Sequence, residues 1–166
     1  MIQVYTGKGK GKTTAALGLA LRAAGAGFKV YIAQFIKGKE CSEHRALKKI
    51  KNIKVEQFGS GRFVRKINRE DIKSAECGLE AVKKALKDQR YDVVIMDEIS
   101  VALRLNLLDC KELVELLKNI PPQQEVILTG RDTPCEILKL ADLFSEIKEI
   151  KHYFHKGTKA RKGIEY

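Results

Sequence analysis

The chain has 166 residues, 44% of them hydrophobic and 32% charged, which fits one domain able to bury a single sizeable core. No apolar run approaches the ~20 residues that span a bilayer, and no leader pattern precedes the first apolar run, so a cytoplasmic protein is the expectation. The net charge of +11 suits anionic partners, although widely spread lysines also describe a solvated surface.

In chain order, Met1 to Tyr5 reads as a short apolar strand, central in a sheet. It runs into Gly7-Lys8-Gly9-Lys10-Gly11-Lys12-Thr13-Thr14. A strand, a glycine-rich loop and then a helix is the context a phosphate-binding loop requires. Glycines let backbone N–H groups turn toward phosphate oxygens, and the helix start adds unpaired N–H groups and its positive dipole end. Lys12, taken as an exposed loop charge, is placed to reach a phosphate, and Thr13 to offer its hydroxyl to Mg²⁺. The usual spacing puts a first glycine where Thr6 stands, so counted from Gly7 the loop is one residue short.

Lys12 to Ala26 reads as a helix with Ala15, Ala16, Leu19, Ala20 and Ala23 on one stripe. Phe28 to Phe35 is a buried strand, with Gln34-Phe35-Ile36-Lys37-Gly38 at its carboxyl end, where open α/β sheets bind ligands. Glu43 to Ile50 reads as a short helix, Ile53 to Phe58 as a strand, Gly59 to Asn68 as a loop and Arg69 to Asp88 as a helix. Tyr91 to Met96 is a strand that delivers Asp97-Glu98 beside the glycine-rich loop, in the manner of a Walker B strand. Adjacent strand residues point to opposite faces, so the two acids should differ in role. Glu98 is expected to face nucleotide and metal, and Asp97 to support the loop or the metal shell.

Val101 to Leu108 and Lys111 to Asn119 read as helical pieces, the second capped by Asp109. Glu125 to Thr129 is a strand followed by Gly130-Arg131-Asp132. Pro134 suits the first turn of the next helix, and Phe144 to Ile150 reads as a last strand. The tail from Lys151 to Tyr166 is basic and aromatic; the aromatics around His152 and His155 suggest extended chain. Cys41, Cys77, Cys110 and Cys135 lack metal-ligand spacing and read as reduced thiols, some of them buried. Alternating strands and helices give an α/β, three-layer P-loop nucleotide-hydrolase-like fold with a mostly parallel sheet, residues 1–166 forming one domain.

These motifs make a nucleoside triphosphate site without fixing its reaction, since kinases, ATPases and transferases share the same parts. A specific resemblance narrows the choice. The order Thr6 to Ala16, Gln34 to Gly38, Asp97-Glu98, Thr129-Gly130-Arg131 and the ending Gly163-Ile164-Glu165-Tyr166 resembles the P-loop ATP:corrinoid adenosyltransferases, also called cob(I)alamin adenosyltransferases, over nearly the whole chain. The resemblance implies that a Co(I) corrinoid attacks C5′ of ATP and inorganic triphosphate leaves, with the phosphates bound in reverse of the ordinary P-loop sense. It implies that backbone N–H groups from Gly7 through Lys8, Gly9, Lys10 and Gly11 to Thr13 hold the triphosphate, with Thr14 a further contact. Lys12 would neutralise the leaving group, Thr13 and Glu98 would hold Mg²⁺ or Mn²⁺ with Asp97 nearby, and Arg131 would meet phosphate or neighbouring side chains.

For the corrinoid face, the family's aromatic loop corresponds to Gly61-Arg62-Phe63-Val64 here. The aromatic is displaced by one position and the family's tryptophan is missing; Phe63 and then Val64 are the candidates. The family's basic helical arm before the first strand has no counterpart ahead of Ile2. The resemblance further implies a reductant that supplies Co(I) and a homodimer. Competing readings are a P-loop kinase or ATPase acting on another small molecule, and a nucleic-acid-binding module centred on Arg62, Phe63, Arg65 and Lys66.

Overall fold

A computed structural model describes residues 1–60 and 67–166. The candidates Phe63 and Val64, and the basic stretch around them, lie outside the described residues. Six strands, β1 (Ile2–Thr6), β2 (Val30–Phe35), β3 (Ile53–Phe58), β4 (Val93–Asp97), β5 (Glu125–Thr129) and β6 (Leu143–Glu146), form one sheet in the order β3-β2-β4-β5-β1-β6. Every pairing is parallel. The first strand is therefore not central: β4 and β5 hold the middle, and β1 is covered on its outer side by the short, exposed β6. The last strand ends at Glu146, earlier than its apolar composition suggests, because the chain then crosses to the glycine-rich loop, where Ile147 accepts from Gly9 N–H.

The helices are α1 (Lys12–Gly25), α2 (Ser42–Leu47), α3 (Arg69–Asp88), α4 (Ile99–Arg104), α5 (Cys110–Lys118) and α6 (Cys135–Leu138). Period-2 alternation divides each buried strand between two cores. Val30 and Ile32 of β2, Val93 and Ile95 of β4, and Ile127 of β5 pack with Ala16, Ala20 and Ala23 of α1 and Leu47 of α2. Tyr31, Ala33, Phe35, Val94, Met96 and Leu128 face the other way, against Leu79 and Val82 of α3, Ala102 and Leu103 of α4, Leu113 and Leu117 of α5, and Ile137 of α6. This is the expected three-layer α/β arrangement.

The stripe that α1 buries is Lys12, Ala16, Ala20 and Ala23; Ala15 is exposed and Leu19 only half-buried. Small side chains at i, i+4 and i+7 (Ala16, Ala20 and Ala23) let the helix cross closely over β1, β5, β4 and β2. The start of α3 carries a reciprocal cap that the sequence reading left as plain loop. Asp71 N–H donates to Asn68 Oδ1 and Asn68 N–H donates to Asp71 Oδ2, both at 3.0 Å, an arrangement worth about 1 kcal/mol. Asp109 caps α5 as expected, accepting from Lys111 N–H at 2.9 Å.

The four cysteines are free. None is fully buried: Cys41 and Cys110 are half-covered, and Cys77 and Cys135 are exposed. His152 caps a 3₁₀ turn (Tyr153–Lys156) and His155 lies within it, rather than in extended chain; His152 Nδ1 accepts Phe154 N–H at its start. Among the described residues no helix is long and apolar enough to cross a membrane.

Candidate functional site

The carboxyl ends of β1, β4, β2 and β5 converge on a cavity of about 790 Å³. Its floor is the loop from Lys8 to Thr14. Its walls are Leu17 and Leu21 of α1, Lys37 after β2, Ala46 and Leu47 of α2, Glu98, Arg131, and the tail from Gly163 to Tyr166. Lys8, Lys10, Lys12, Lys37 and Arg131 bring five cations to this cavity, against the carboxylates of Glu43, Glu98 and Glu165. Five of the 32 lysines and arginines thus meet in one cleft, where an anion would find them.

The glycine-rich loop owes its composition to a neighbour as much as to a ligand. Gly9 N–H donates to Ile147 O at 2.8 Å. A Cβ on Gly7 would stand 2.5 Å from that same oxygen, and one on Gly9 would stand 2.8 Å from it. Both contacts are with rigid backbone, so no side-chain movement relieves them. Gly9→Ala is accordingly expected to push the loop off residue 147, lowering the melting temperature and weakening ATP binding by at least tenfold; calorimetry with titrated nucleotide reads both. Gly11, with φ of 119°, begins α1 without side-chain capping, so the first-turn N–H groups face the cleft.

Lys12 is not an exposed loop charge. It is 7% exposed, and its ammonium donates to Gly7 O at 2.7 Å and to Gly9 O at 2.8 Å. Burial lowers its pKa, opposed by the nearby carboxylates of Glu98 and Asp97. The lysine therefore braces the loop whose phosphate contacts it would share.

Asp97 is fully buried and collects four donors. Thr13 and Thr129 hydroxyls donate to Oδ1 at 2.8 and 2.7 Å; Gln34 Nε2 and Lys37 Nζ donate to Oδ2 at 3.0 Å each. Strand alternation explains the aim: Asp97 shares its face with Val93 and Ile95, which pack on α1. That argument does not extend to Glu98, which lies one residue past β4 with φ of 61° and caps α4. Its N–H donates to Thr129 Oγ1 at 3.0 Å, and it lines the cavity. Burial, and then the neighbouring Asp97, raises the Glu98 pKa above the ordinary carboxylate range.

Thr14 is exposed along the cavity wall, and Arg131 is exposed at its rim with no ion pair among the described residues. Lys37, which the sequence reading placed at a ligand-binding strand end without giving it a role, is a cavity residue. Burial opposes its charge, but Asp97 outweighs burial and raises its pKa. The tail, read in the sequence as basic and aromatic and as part of the family resemblance, closes one side. Glu165 accepts from Lys10 Nζ at 2.8 Å, from Tyr153 and from Arg161, and these donors hold its carboxyl well below the usual range. Ser42 donates to the Tyr166 carbonyl oxygen at 2.9 Å, tying the last residue to α2.

Comparison with known proteins agrees with this construction. The profile of the family described as ATP:corrinoid adenosyltransferase BtuR/CobO/CobP matches residues 1–166. A corrinoid adenosyltransferase of Escherichia coli (strain K12) is 40% identical over 167 residues, covering 100% of this chain and 85% of the relative. Corrinoid adenosyltransferase CobA of Salmonella typhimurium is 38% identical with the same coverage, and a corrinoid adenosyltransferase of Pseudomonas aeruginosa is 31% identical over 169 residues, covering 100% and 83%. With the match running from end to end, and the glycine-rich loop, the Asp97 cluster and the closing tail in one cleft, this chain belongs to the ATP:corrinoid adenosyltransferase family.

Proposed function

We propose that the cleft above residues 7–14 is where this corrinoid adenosyltransferase holds the triphosphate of ATP while a Co(I) corrinoid attacks C5′. The observation that carries the reading is the convergence of Lys12, Lys37 and the first turn of α1 on one cavity whose far side is closed by the tail. In the transfer, the electron pair of Co(I) forms the cobalt–carbon bond. The C5′–O bond breaks, and its pair leaves with the triphosphate. Charge grows on that leaving group, so the groups that matter are cations and N–H donors already fixed around it. Lys12 and the loop N–H groups take that part, with Lys10, Lys37, Thr14 and Arg131 at its edges. No protein nucleophile is required, because the corrinoid supplies the electron pair.

The donor set beside the loop suits Mg²⁺, or Mn²⁺ in its place: a hydroxyl and two carboxylates, all hard oxygen ligands. Asp97 already has its lone-pair positions filled by four donors. It acts best from outside the coordination shell, taking the Thr13 proton and leaving the Thr13 oxygen free for the cation. Glu98 would be the carboxylate that holds the cation. Bound there, the cation would neutralise triphosphate oxygens. Glu98→Gln is expected to raise the Mg²⁺ concentration for half-maximal activity about tenfold or more. Because burial and Asp97 raise the Glu98 pKa, Mg²⁺ binding to the free enzyme should fall off with decreasing pH earlier than for an ordinary glutamate. The Gln variant should lose that acidic limb; titrating Mg²⁺ across pH checks both, and an unchanged metal profile would move the ligand elsewhere.

A homodimer, a separate reductant supplying Co(I), the corrinoid contact of Phe63 and Val64, and a cytoplasmic setting belong to this proposal on family grounds. The deciding experiment is anaerobic mixing of the protein with ATP, Mg²⁺ and chemically reduced cob(I)alamin. A light-sensitive alkyl-corrinoid spectrum, with triphosphate formed in step, is the expected result. Release of ADP or phosphate without corrinoid alkylation would return the site to a kinase or ATPase.

A further inference from the structure

The stretch Gln34 to Gly38 stood out in the sequence, yet phosphate binding draws only on Lys37. Gln34 lies wholly buried beneath the cavity, between Asp97 on one side and His44 of α2 on the other. We infer that His44 is a positioning residue: through the Gln34 amide it holds the Asp97 carboxylate in the orientation that receives the Thr13 hydroxyl. This rests on the proposed role of Thr13 and Asp97 at the triphosphate.

The argument is one of hydrogen-bond direction. Gln34 has an amide whose N and O are nearly equal in size, so its orientation is set by its partners. With Nε2 toward Asp97 Oδ2 it donates a hydrogen bond at 3.0 Å. Turned over, it would set a carbonyl oxygen against a fully buried carboxylate. The carboxylate, which only accepts, disfavours the flip from its side, and the group behind the amide decides it from the other. That group is His44 Nε2, in contact with Gln34 Oε1.

An imidazole also has two orientations of donor and acceptor, so His44 needs a fixed tautomer in turn. Cys41 N–H donates to His44 Nδ1 at 2.7 Å, which makes Nδ1 the acceptor and Nε2–H the donor. Direction therefore passes without ambiguity from the backbone at the start of α2. Cys41 N–H donates to His44, His44 to Gln34, and Gln34 to Asp97. His44 is 2% exposed and Gln34 and Asp97 are 0% exposed, so water cannot replace a missing member without a cavity opening. The same engagement of both ring nitrogens removes His44 from any metal set with Cys41 and Glu43, although the three ligand atoms lie within 4.8 Å of one another. Helix α2 also supplies cavity wall at Ser42, Glu43, Ala46 and Leu47. Its placement is thereby felt at Asp97, on the opposite side of Gln34.

The test compares three substitutions at one position. A glutamine amide can put an N–H where His44 Nε2 stands, whereas an asparagine is too short to reach Gln34 and phenylalanine fills the volume without donating. Each is assayed with ATP, Mg²⁺ and reduced cob(I)alamin, reading kcat, KM for ATP and the Mg²⁺ requirement. His44→Phe and His44→Asn are expected to lower kcat at least tenfold and to raise the Mg²⁺ requirement. His44→Gln should restore most of both. In a Gln34→Leu background, His44→Phe should cause no further loss, because the relay is already cut. Equal activity in all three variants, or losses that simply add to that of Gln34→Leu, would overturn the inference. If His44→Phe does not fold, the Gln and Asn pair decides alone. Thr13→Ala and Asp97→Asn separate the two layers. Inert substitutions there would sink the proposed site itself, while activity sensitive to both but indifferent to His44 would sink only the relay.

Discussion

Lys12→Ala is expected to lower the rate of adenosyl transfer by about 10²–10³-fold, the effect of losing one fixed donor aimed at developing charge. Here the same change also strips two loop carbonyls of their donor, since Lys12 bonds both Gly7 O and Gly9 O. Leaving buried carbonyls unpaired costs about 1–3 kcal/mol, so the melting temperature should fall as well. The two effects separate with Lys12→Gln, which keeps a donor near the loop but carries no charge. If the charge matters for the leaving triphosphate, Lys12→Gln should melt close to the parent protein and still be nearly inactive. If it matters only as a brace, Lys12→Gln should recover both. Single-turnover transfer to reduced cob(I)alamin, alongside thermal unfolding, gives the answer, and full activity in the Ala variant would remove Lys12 from the site.

Asp97→Asn should be at least as damaging. The carboxylate accepts from Thr13, Thr129, Gln34 and Lys37, and it has no donor of its own. An asparagine presents an NH₂ to one half of that set in either orientation, so donor faces donor in a dry site. We expect a loss of about 1–3 kcal/mol in stability and more than 10²-fold in activity. Lys37, partly exposed, would be released toward the cavity. A rise in ATP affinity with a collapse in kcat would show that the freed lysine grips phosphate while Thr13 has lost its alignment. Unchanged kcat would mean that Asp97 is only scaffold.

The fold was legible because its signals are local. Continuous apolar runs at Val30 to Ala33 and Val93 to Met96 mark strands buried on both faces, the Asp109 cap follows from side-chain chemistry at a fixed offset, and the apolar spacing from Ile72 to Leu86 marks α3. The loop Gly7 to Thr14 could be read as a phosphate site because strand, glycines, lysine and helix are contiguous in the chain. Other features were hidden by distance along the sequence. The closure of the cavity by Glu165 joins residues 155 positions apart, and the link from Gln34 to Asp97 spans 63.

Sequence by itself determined the parallel α/β architecture, the place of the glycine-rich loop and, through motif order and the Gly163 to Tyr166 ending, the family. It could not give the physical basis for separating the two acids. Strand alternation fixes Asp97 toward α1, but Glu98 leaves the strand in a left-handed turn that no periodicity announces. Nor could it reveal that Gly7 and Gly9 are required by the backbone at Ile147, or that Lys12 is buried among carbonyls. Those were decided by tertiary structure. Close approach, burial and hydrogen-bond direction depend on which distant segments the sheet order sets side by side, and β6 beside β1 and β2 beside β4 are choices of topology that no local pattern encodes.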